Sequence, residues 1–562
     1  MNRKLLLLII SLVALFSCRD NTKPKEKFVY DYEVYKTQEI LLADEDRGKR
    51  FSNYQLANID GKNVLILSMC RGSLPLYSSY LSFYDIESGE KIHNLVVDSL
   101  DIMCHFYFVG KDSIFINCKN LYYEKELQTP QALRLTDWDG NVKKIYGYDV
   151  DKTELHDYKY DINKLIPPQK EFVFCRGNII FRSTYSDSYG FLGTKESVEN
   201  PLPLGIRMDT KENKYHVSRH RKFAYIKEGM YYPSSVSIWI RKTANDLPIF
   251  RYPYSSSAFE WDFENDSVIE HYFASALADS IMPLPYPDEM GNEVPYCYGM
   301  VEYDEYNQIY ISPIFFNRKI YGENKSGLIL ADKNFQHIGD IYVPKYWPNV
   351  FNKDMTLNIR RPNDSTLTIN YLKLVKTSCD YDKYIDSCRT VLQTMKQSMD
   401  DKKNALLDGC PPINFVNSQM NIKESSYKIL TIHCNEGCTG CENAAIYTLL
   451  ENKEVLNKVP LYIILSANNT AHLDSYIGQT GLSYFNKIAL DSTGIMKSVA
   501  NTSLLLNPRI TVVNDGMVIL DTIYQALDIE DKLLPQIAGP NENSRYVLND
   551  NGEVSIVYSY KK

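Results

Sequence analysis

From about residue 28 to about residue 375 the chain is a series of short apolar or alternating runs broken by polar turns, with little helical periodicity. Residues 63–67 follow Asp60-Gly61, and residues 80–84 precede Glu87-Ser88-Gly89. Residues 113–116, 171–174, 178–181, 236–239, 308–311, 327–330 and 366–371 have the same character. Such runs predict strands. Two stretches, 80–97 and 328–343, repeat one plan of strand, polar turn and strand. All-strand repeats of roughly 40–50 residues, about six in number, predict propeller blades. A pair of β-sandwiches is the competing arrangement.

The pattern changes at residue 380. Tyr384, Ile385, Cys388, Val391, Leu392, Met395 and Met399 recur at helical spacing, which predicts a connector helix ended by Gly409-Cys410-Pro411-Pro412. From residue 414 the expected order is a strand at 427–433, a helix at 442–451, a strand at 459–466 and a short helix at 474–479. A strand at 484–490 follows, then two strands at 509–513 and 517–520, and a short closing helix at 529–534 before Pro535. Asn514-Asp515-Gly516 joins the last two strands as a hairpin. The expected organisation is a signal at 1–17, a tether at 18–27, an all-β propeller-like domain at 28–376, a helical connector at 377–411 and an α/β domain at 412–562.

The first residues sharpen this division. Arg3 and Lys4 precede a mostly apolar run from Leu5 to Phe16, then Ser17 and Cys18. These are the parts of a secretory signal, and the run is too short to span a bilayer. Leu15-Phe16-Ser17-Cys18 resembles the lipobox of bacterial lipoproteins. The resemblance implies cleavage before Cys18 and lipid attachment there, on the outer membrane, facing the periplasm or the cell surface. Residues 19–27 are polar and read as a flexible tether.

Composition narrows the partners. The 562 residues carry a formal charge of −8 and no basic block, which argues against nucleic acid. Forty-four tyrosines suit strands and surfaces that meet sugars or peptides. Lipidation of Cys18 leaves an odd number of the 12 cysteines for an oxidising compartment. Cys104 and Cys118 flank a short turn around Lys111; they read as a cross-strand disulfide or as two small buried residues. Cys70, Cys175 and Cys297 read as core. Asp137-Trp138-Asp139-Gly140-Asn141 reads as a turn rather than a calcium loop. Glu260, Asp262 and Glu264 form no evident catalytic set. His216 and His220, with Arg219, Arg221 and Lys222, read as a solvated basic face. No metal site and no cofactor is expected.

The strand rhythm resembles the six-bladed propeller lipoproteins of Bacteroidota. The C-terminal region resembles the thioredoxin superfamily, most closely its membrane-anchored TlpA/ResA-like branch. That resemblance rests on Cys438-Thr439-Gly440-Cys441 between a core strand and a helix, on Pro508 where the family has its cis-proline, and on the Asn514-Asp515-Gly516 hairpin. It implies that Cys438 and Cys441 are a redox pair and that the backbone beside Pro508 docks substrate. A helix N-terminus stabilises a thiolate, so Cys438 would attack a disulfide and Cys441 would resolve the intermediate. Gly437, Asn507 and Thr439-Gly440 depart from the family's usual residues and leave the potential and the activity open. Cys434 reads as a buried strand residue or as a partner of Cys438. The spacing of Cys434, Cys438 and Cys441 also fits a radical SAM triad, but too few residues follow for that barrel. A zinc site of His433 with the three cysteines is crowded. The expected function is a membrane-anchored thiol–disulfide oxidoreductase or redox-linked module, its propeller selecting an envelope protein or peptide that carries a thiol or disulfide. The rival is a non-catalytic envelope adaptor.

Overall fold

The computed structural model describes residues 26–49, 51–70, 78–96, 101–120, 131–146, 172–182, 203–220, 230–231, 239–279, 284–285, 294–407, 409–434, 439–467, 470–496, 508–523, 545–548 and 554–557. Residues 30–376 build a six-bladed β-propeller. Blade one is Phe51–Ile59, Lys62–Cys70, Ser78–Asp85 and Lys91–Val96. Blade two is Asp101–Gly110, Ser113–Asn120, Gln131–Thr136 and Val142–Tyr146. Blade three is Phe172–Cys175, Asn178–Arg182, Gly205–Asp209 and Lys214–Val217. Blade four is Trp239–Lys242, Pro248–Arg251, Ser257–Asp262 and Ser267–Tyr272. Blade five opens with the short strands Tyr296–Tyr298 and Glu302–Asp304 and continues through Ile309–Phe316, Lys325–Asp332 and His337–Tyr342. Blade six is Val350–Phe351, Thr356–Arg360 and Thr366–Lys376, completed by Tyr30–Leu41 from the other end of the region. That closing pair runs antiparallel from Tyr30↔Lys376 to Leu41↔Thr366. Closure covers an edge that would otherwise be open to another chain.

The apolar runs follow from this geometry. Successive side chains on a strand point to opposite faces, and a blade has a neighbour on each face. In Asn178–Arg182, Ile179 and Phe181 enter the core shared with blade two, while Ile180 enters the core shared with blade four. Comparable cores fill the other four interfaces around the ring. A cyclic set of interfaces excludes the two-sandwich arrangement.

One turn recurs. At the end of the third strand, Asp85, Asp137, Asp209, Asp262 and Asp332 each accept a hydrogen bond from the backbone N–H two residues on, at 2.8–3.1 Å. An aspartate mimics a backbone turn in this way. Blade six lacks it because its fourth strand comes from the far end of the region. Asp137 accordingly belongs to a turn, with Asn141 N–H also donating to it at 2.9 Å.

The connector is a single helix, Tyr381–Leu407. Its first turns bury Tyr381, Ile385, Cys388 and Leu392 against blade five; farther on, Met399 and Leu406 enter the core of the C-terminal domain. Asp340, fully buried, accepts hydrogen bonds from Tyr381 Oη at 2.7 Å and Ser275 Oγ at 2.6 Å, which ties the helix to the propeller. The C-terminal domain has a five-stranded mixed sheet in the order Ile488–Asp491, Leu461–Ser466, Tyr427–His433, Arg509–Asn514, Met517–Ile523. The first three strands are parallel; the last two run antiparallel to their neighbours.

Several expectations need correction. Gly409-Cys410-Pro411-Pro412 does not simply end a helix: Pro411–Gln419 is a new one, since proline suits a helix's first position, where no N–H is needed. The run 484–490 is a 3₁₀ turn, Leu482–Tyr484, and a shorter strand, Ile488–Asp491. Of the run 236–239, only Trp239 lies within the described residues, and it opens the strand Trp239–Lys242. Cys118 pairs with Met103, and a register shift falls between Met103 and His105, so Cys104 is not its direct cross-strand partner. Cys175 is fully buried, but Cys297 is only partly so. His216 lies on a strand and His220 meets the Asp266 carbonyl of blade four through Nε2 at 2.8 Å; both are part-buried rather than on a fully solvated face, and Arg221 and Lys222 lie outside the described residues. The closing helix at 529–534 lies outside the described residues.

Candidate functional site

Tyr427–His433 is a buried strand at the centre of the mixed sheet, and its even-numbered residues Leu430 and Ile432, with Cys434 just beyond, face one core. Cys434 extends the parallel ladder through its N–H to the Ser466 carbonyl at 2.8 Å. His433, one residue earlier, points to the opposite face. That alternation turns His433 away from the core that Cys434 faces.

The helix after the thiol segment is Thr439–Glu451, so it begins inside the CxxC motif, three residues before the expected start. Cys441, Ala445 and Leu449 follow one another at four-residue spacing along its buried face. Cys441 is only 7% exposed. Cys438 and residues 435–437 lie outside the described residues, as do Cys18 and Asn507.

Pro508 is buried and directly precedes Arg509–Asn514. Thr431 pairs with Arg509, so one further step of the antiparallel register brings Pro508 level with Ile432, beside the strand end that leads to the thiols. Arg509 is fixed there. Its Nε and Nη2 donate to both carboxylate oxygens of Asp521 at 2.8 and 2.6 Å, and Thr511 Oγ1 donates to Asp521 at 3.0 Å. Burial raises the Asp521 carboxyl, but the Arg509 pairing outweighs it, and the net shift is downward. The hairpin is therefore braced next to the proline.

Two residues that the sequence reading passed over stand beside these cysteines. Glu442, adjacent to Cys441, is 2% exposed, and its Oε1 accepts from Tyr476 Oη at 2.5 Å. Burial, the Glu442 hydrogen bond and nearby Cys434 together hold the Tyr476 hydroxyl protonated far above its ordinary range. An acid placed one residue past a CxxC, on the buried side of a helix, is a signal available in the sequence. Tyr476, on a different helix, is not. Behind them, Asp491 accepts Ser466 Oγ at 2.6 Å and the amides of Ile495 and Met496, which fixes the outer parallel strand.

The propeller axis is a second concentration of chemistry. First strands of adjacent blades stand side by side from blade six through blades one, two, three and four to blade five. Across them, Arg241 Nε donates to Glu302 Oε1 at 3.0 Å, both side chains about a quarter exposed. Burial, with the nearby Glu302, pushes the Tyr54 hydroxyl up to about 12. Lys242 on blade four lies close to Tyr107 of blade two and Cys175 of blade three. In the outer part of blade four, Glu260, expected to be one of several scattered acids, is buried; it meets His271 Nε2 at 2.8 Å and accepts from Thr243 Oγ1 at 3.0 Å.

No family model and no curated protein matches the chain. Among solved structures, a member of the DUF4221 family from Bacteroides vulgatus is 11% identical, with a TM-score of 0.46, over 63% of this chain and 100% of that one. Virginiamycin B lyase from Staphylococcus aureus is 12% identical, with a TM-score of 0.27, over 61% of this chain and all of that one. An aldose sugar dehydrogenase from Streptomyces coelicolor is 10% identical, with a TM-score of 0.32, over 62% and 100%. At these similarities the propeller assignment stands on its own sheets and interfaces, and none of these activities transfers. Among the described residues, no helix is long and apolar enough to cross a membrane.

Proposed function

We propose that the protein is a thiol–disulfide oxidoreductase of the cell envelope, lipid-anchored through Cys18, in which a thioredoxin-like C-terminal domain carries the chemistry and the propeller selects the partner. One arrangement carries the reading: a central strand leads into a helix whose first turn buries Cys441, and a braced strand entered from Pro508 pairs beside it. The three parallel strands and the antiparallel hairpin of the mixed sheet support this reading.

In this reading the Cys438 thiolate attacks one sulfur of a substrate disulfide. A mixed disulfide forms and the other substrate sulfur leaves as thiolate. Cys441 then attacks Cys438 Sγ, the second substrate thiolate leaves, and two electrons have passed from the dithiol to the substrate. The buried Glu442 carboxylate, fixed by Tyr476, takes up the Cys441 proton. Reversal of each step oxidises a substrate dithiol. A test is to incubate the intact chain with a disulfide peptide and trap the mixed disulfide in Cys441→Ser. An adduct on Cys438 supports the proposal, and an adduct that also forms in Cys438→Ser rejects it.

The adaptor reading is favoured by the axis, where Arg241, Glu302, Tyr54, Lys242 and Tyr107 converge from four blades without a thiol pair. Envelope proteins retained by the chain with both Cys438 and Cys441 replaced by Ser, and lost on Arg241→Ala, would support it.

A further inference from the structure

Each blade is an antiparallel sheet, so its strand ends fall on two faces of the ring. The aspartate turns that follow the third strands lie on one face. The connections after the second and fourth strands lie on the other. The chain enters the ring on the aspartate-turn face. There Phe28 N–H donates at 3.0 Å to the carbonyl of Ile338, in the strand that leaves the blade-five turn. Val29 accepts from Thr377 N–H at 2.8 Å, just beyond the pair Tyr30↔Lys376. Residues 26 and 27 are exposed at this point.

The connector helix starts on the same face and ends on the opposite one. The Tyr381 ring lies 6.4 Å from that of His337, the first residue of the fourth strand of blade five. Tyr384 Oη accepts at 2.7 Å from the N–H of Tyr342, the last residue of that strand. Met399 then reaches Gly322, in the connection after the second strand, where a Cβ would lie 3.0 Å from its Sδ. The 27 residues of the helix span about 40 Å. Met399 also enters the core on one face of the C-terminal sheet, with Tyr427, Ile429 and Ile464. Cys441 belongs to the core on the other face of that sheet, turned away from the connector.

We propose that the ring stands with its aspartate-turn face toward the membrane and carries the C-terminal domain on the far face, so that the thiols meet partners from the aqueous side. The inference rests on the reading of Cys18 as the lipid anchor. Phe28 lies ten residues after Cys18, and ten residues reach at most about 35 Å. In the inverted orientation this tether would have to pass the C-terminal domain and the whole height of the ring. The closing strand Tyr30–Leu41, with 12 residues, already spans about 40 Å of that path. The tether is too short for it.

The test uses the full-length lipidated chain in vesicles whose headgroups carry an energy-transfer acceptor. A donor dye is attached through p-azidophenylalanine, which leaves the native thiols untouched. It replaces either Lys333, exposed in the blade-five aspartate turn, or Glu454, exposed in the C-terminal domain. Transfer should be strong from position 333 and at least about twofold weaker from position 454, because the connector alone adds about 40 Å. In Cys18→Ser it should vanish from both. A donor at 454 that transfers as well as one at 333, in a chain released by Cys18→Ser, overturns the orientation alone. Transfer that is absent from both positions, or unchanged by Cys18→Ser, rejects the lipid anchor and the orientation with it.

Discussion

At the scale of single residues, the proposed exchange turns on Glu442, buried next to Cys441 in the chain and held by Tyr476 Oη. That contact joins residues 34 positions apart and exists only after folding, whereas Cys438, Cys441 and Pro508 stand out as candidates by spacing alone. Glu442→Gln keeps the shape and the hydrogen bond but cannot accept a proton. It is expected to slow disulfide exchange by about 10²-fold at neutral pH, with little change in Tm; stopped-flow exchange with a disulfide peptide measures this. Glu424 offers a separate check on the domain. Its carboxylate meets Lys487 Nζ at 2.6 Å and Tyr462 Oη at 2.7 Å, and these contacts lower it from 4.5 to about 2. A lowered acid contributes stability that is present above its unfolded value and lost as pH falls toward the folded one. The fall in Tm between about pH 4.5 and about pH 2 should therefore be shallower in Glu424→Gln. The pair is about one-third exposed, so salt should weaken the difference.

At the scale of elements, the recurring aspartate turn is the clearest sign of a repeat that mere rhythm suggests. Asp85, Asp137, Asp209, Asp262 and Asp332 mark the same corner of five blades, although their spacing along the chain is irregular because the other loops differ in length. Irregular spacing is why only two copies of the plan stand out in the sequence. Asp332→Ala and Asp85→Ala, at the two buried copies, should each cost about 1–2 kcal/mol in urea unfolding; Asp137→Ala, at a half-buried copy, should change the midpoint less. The helix Pro411–Gln419 was hidden for a related reason: two prolines read as a stop, and only the position of the turn tells whether they end one helix or begin the next.

At the scale of the whole molecule, the count of blades was within reach of the sequence, but the closing strand was not. Tyr30–Leu41 pairs with a strand more than 300 residues away, and no local signal names that partner. Deletion of residues 26–41 should open the ring, expose the edge of Thr366–Lys376 and give a lower Tm with concentration-dependent aggregation, readable by light scattering. The connector helix enters the cores of both domains, so the propeller and the C-terminal domain are held in one arrangement rather than strung on a loose linker. A partner seated on the propeller would therefore meet the thiols from a fixed direction. The most direct test of this account is a redox titration of the intact chain, with free thiols trapped by a mass tag and Cys438→Ser, Cys441→Ser and Cys434→Ser compared. The account predicts one reversible two-electron couple between Cys438 and Cys441, with a potential between about −300 and −100 mV, that survives Cys434→Ser and vanishes in each of the other two variants. A pair that never forms, or one that needs Cys434, would contradict it.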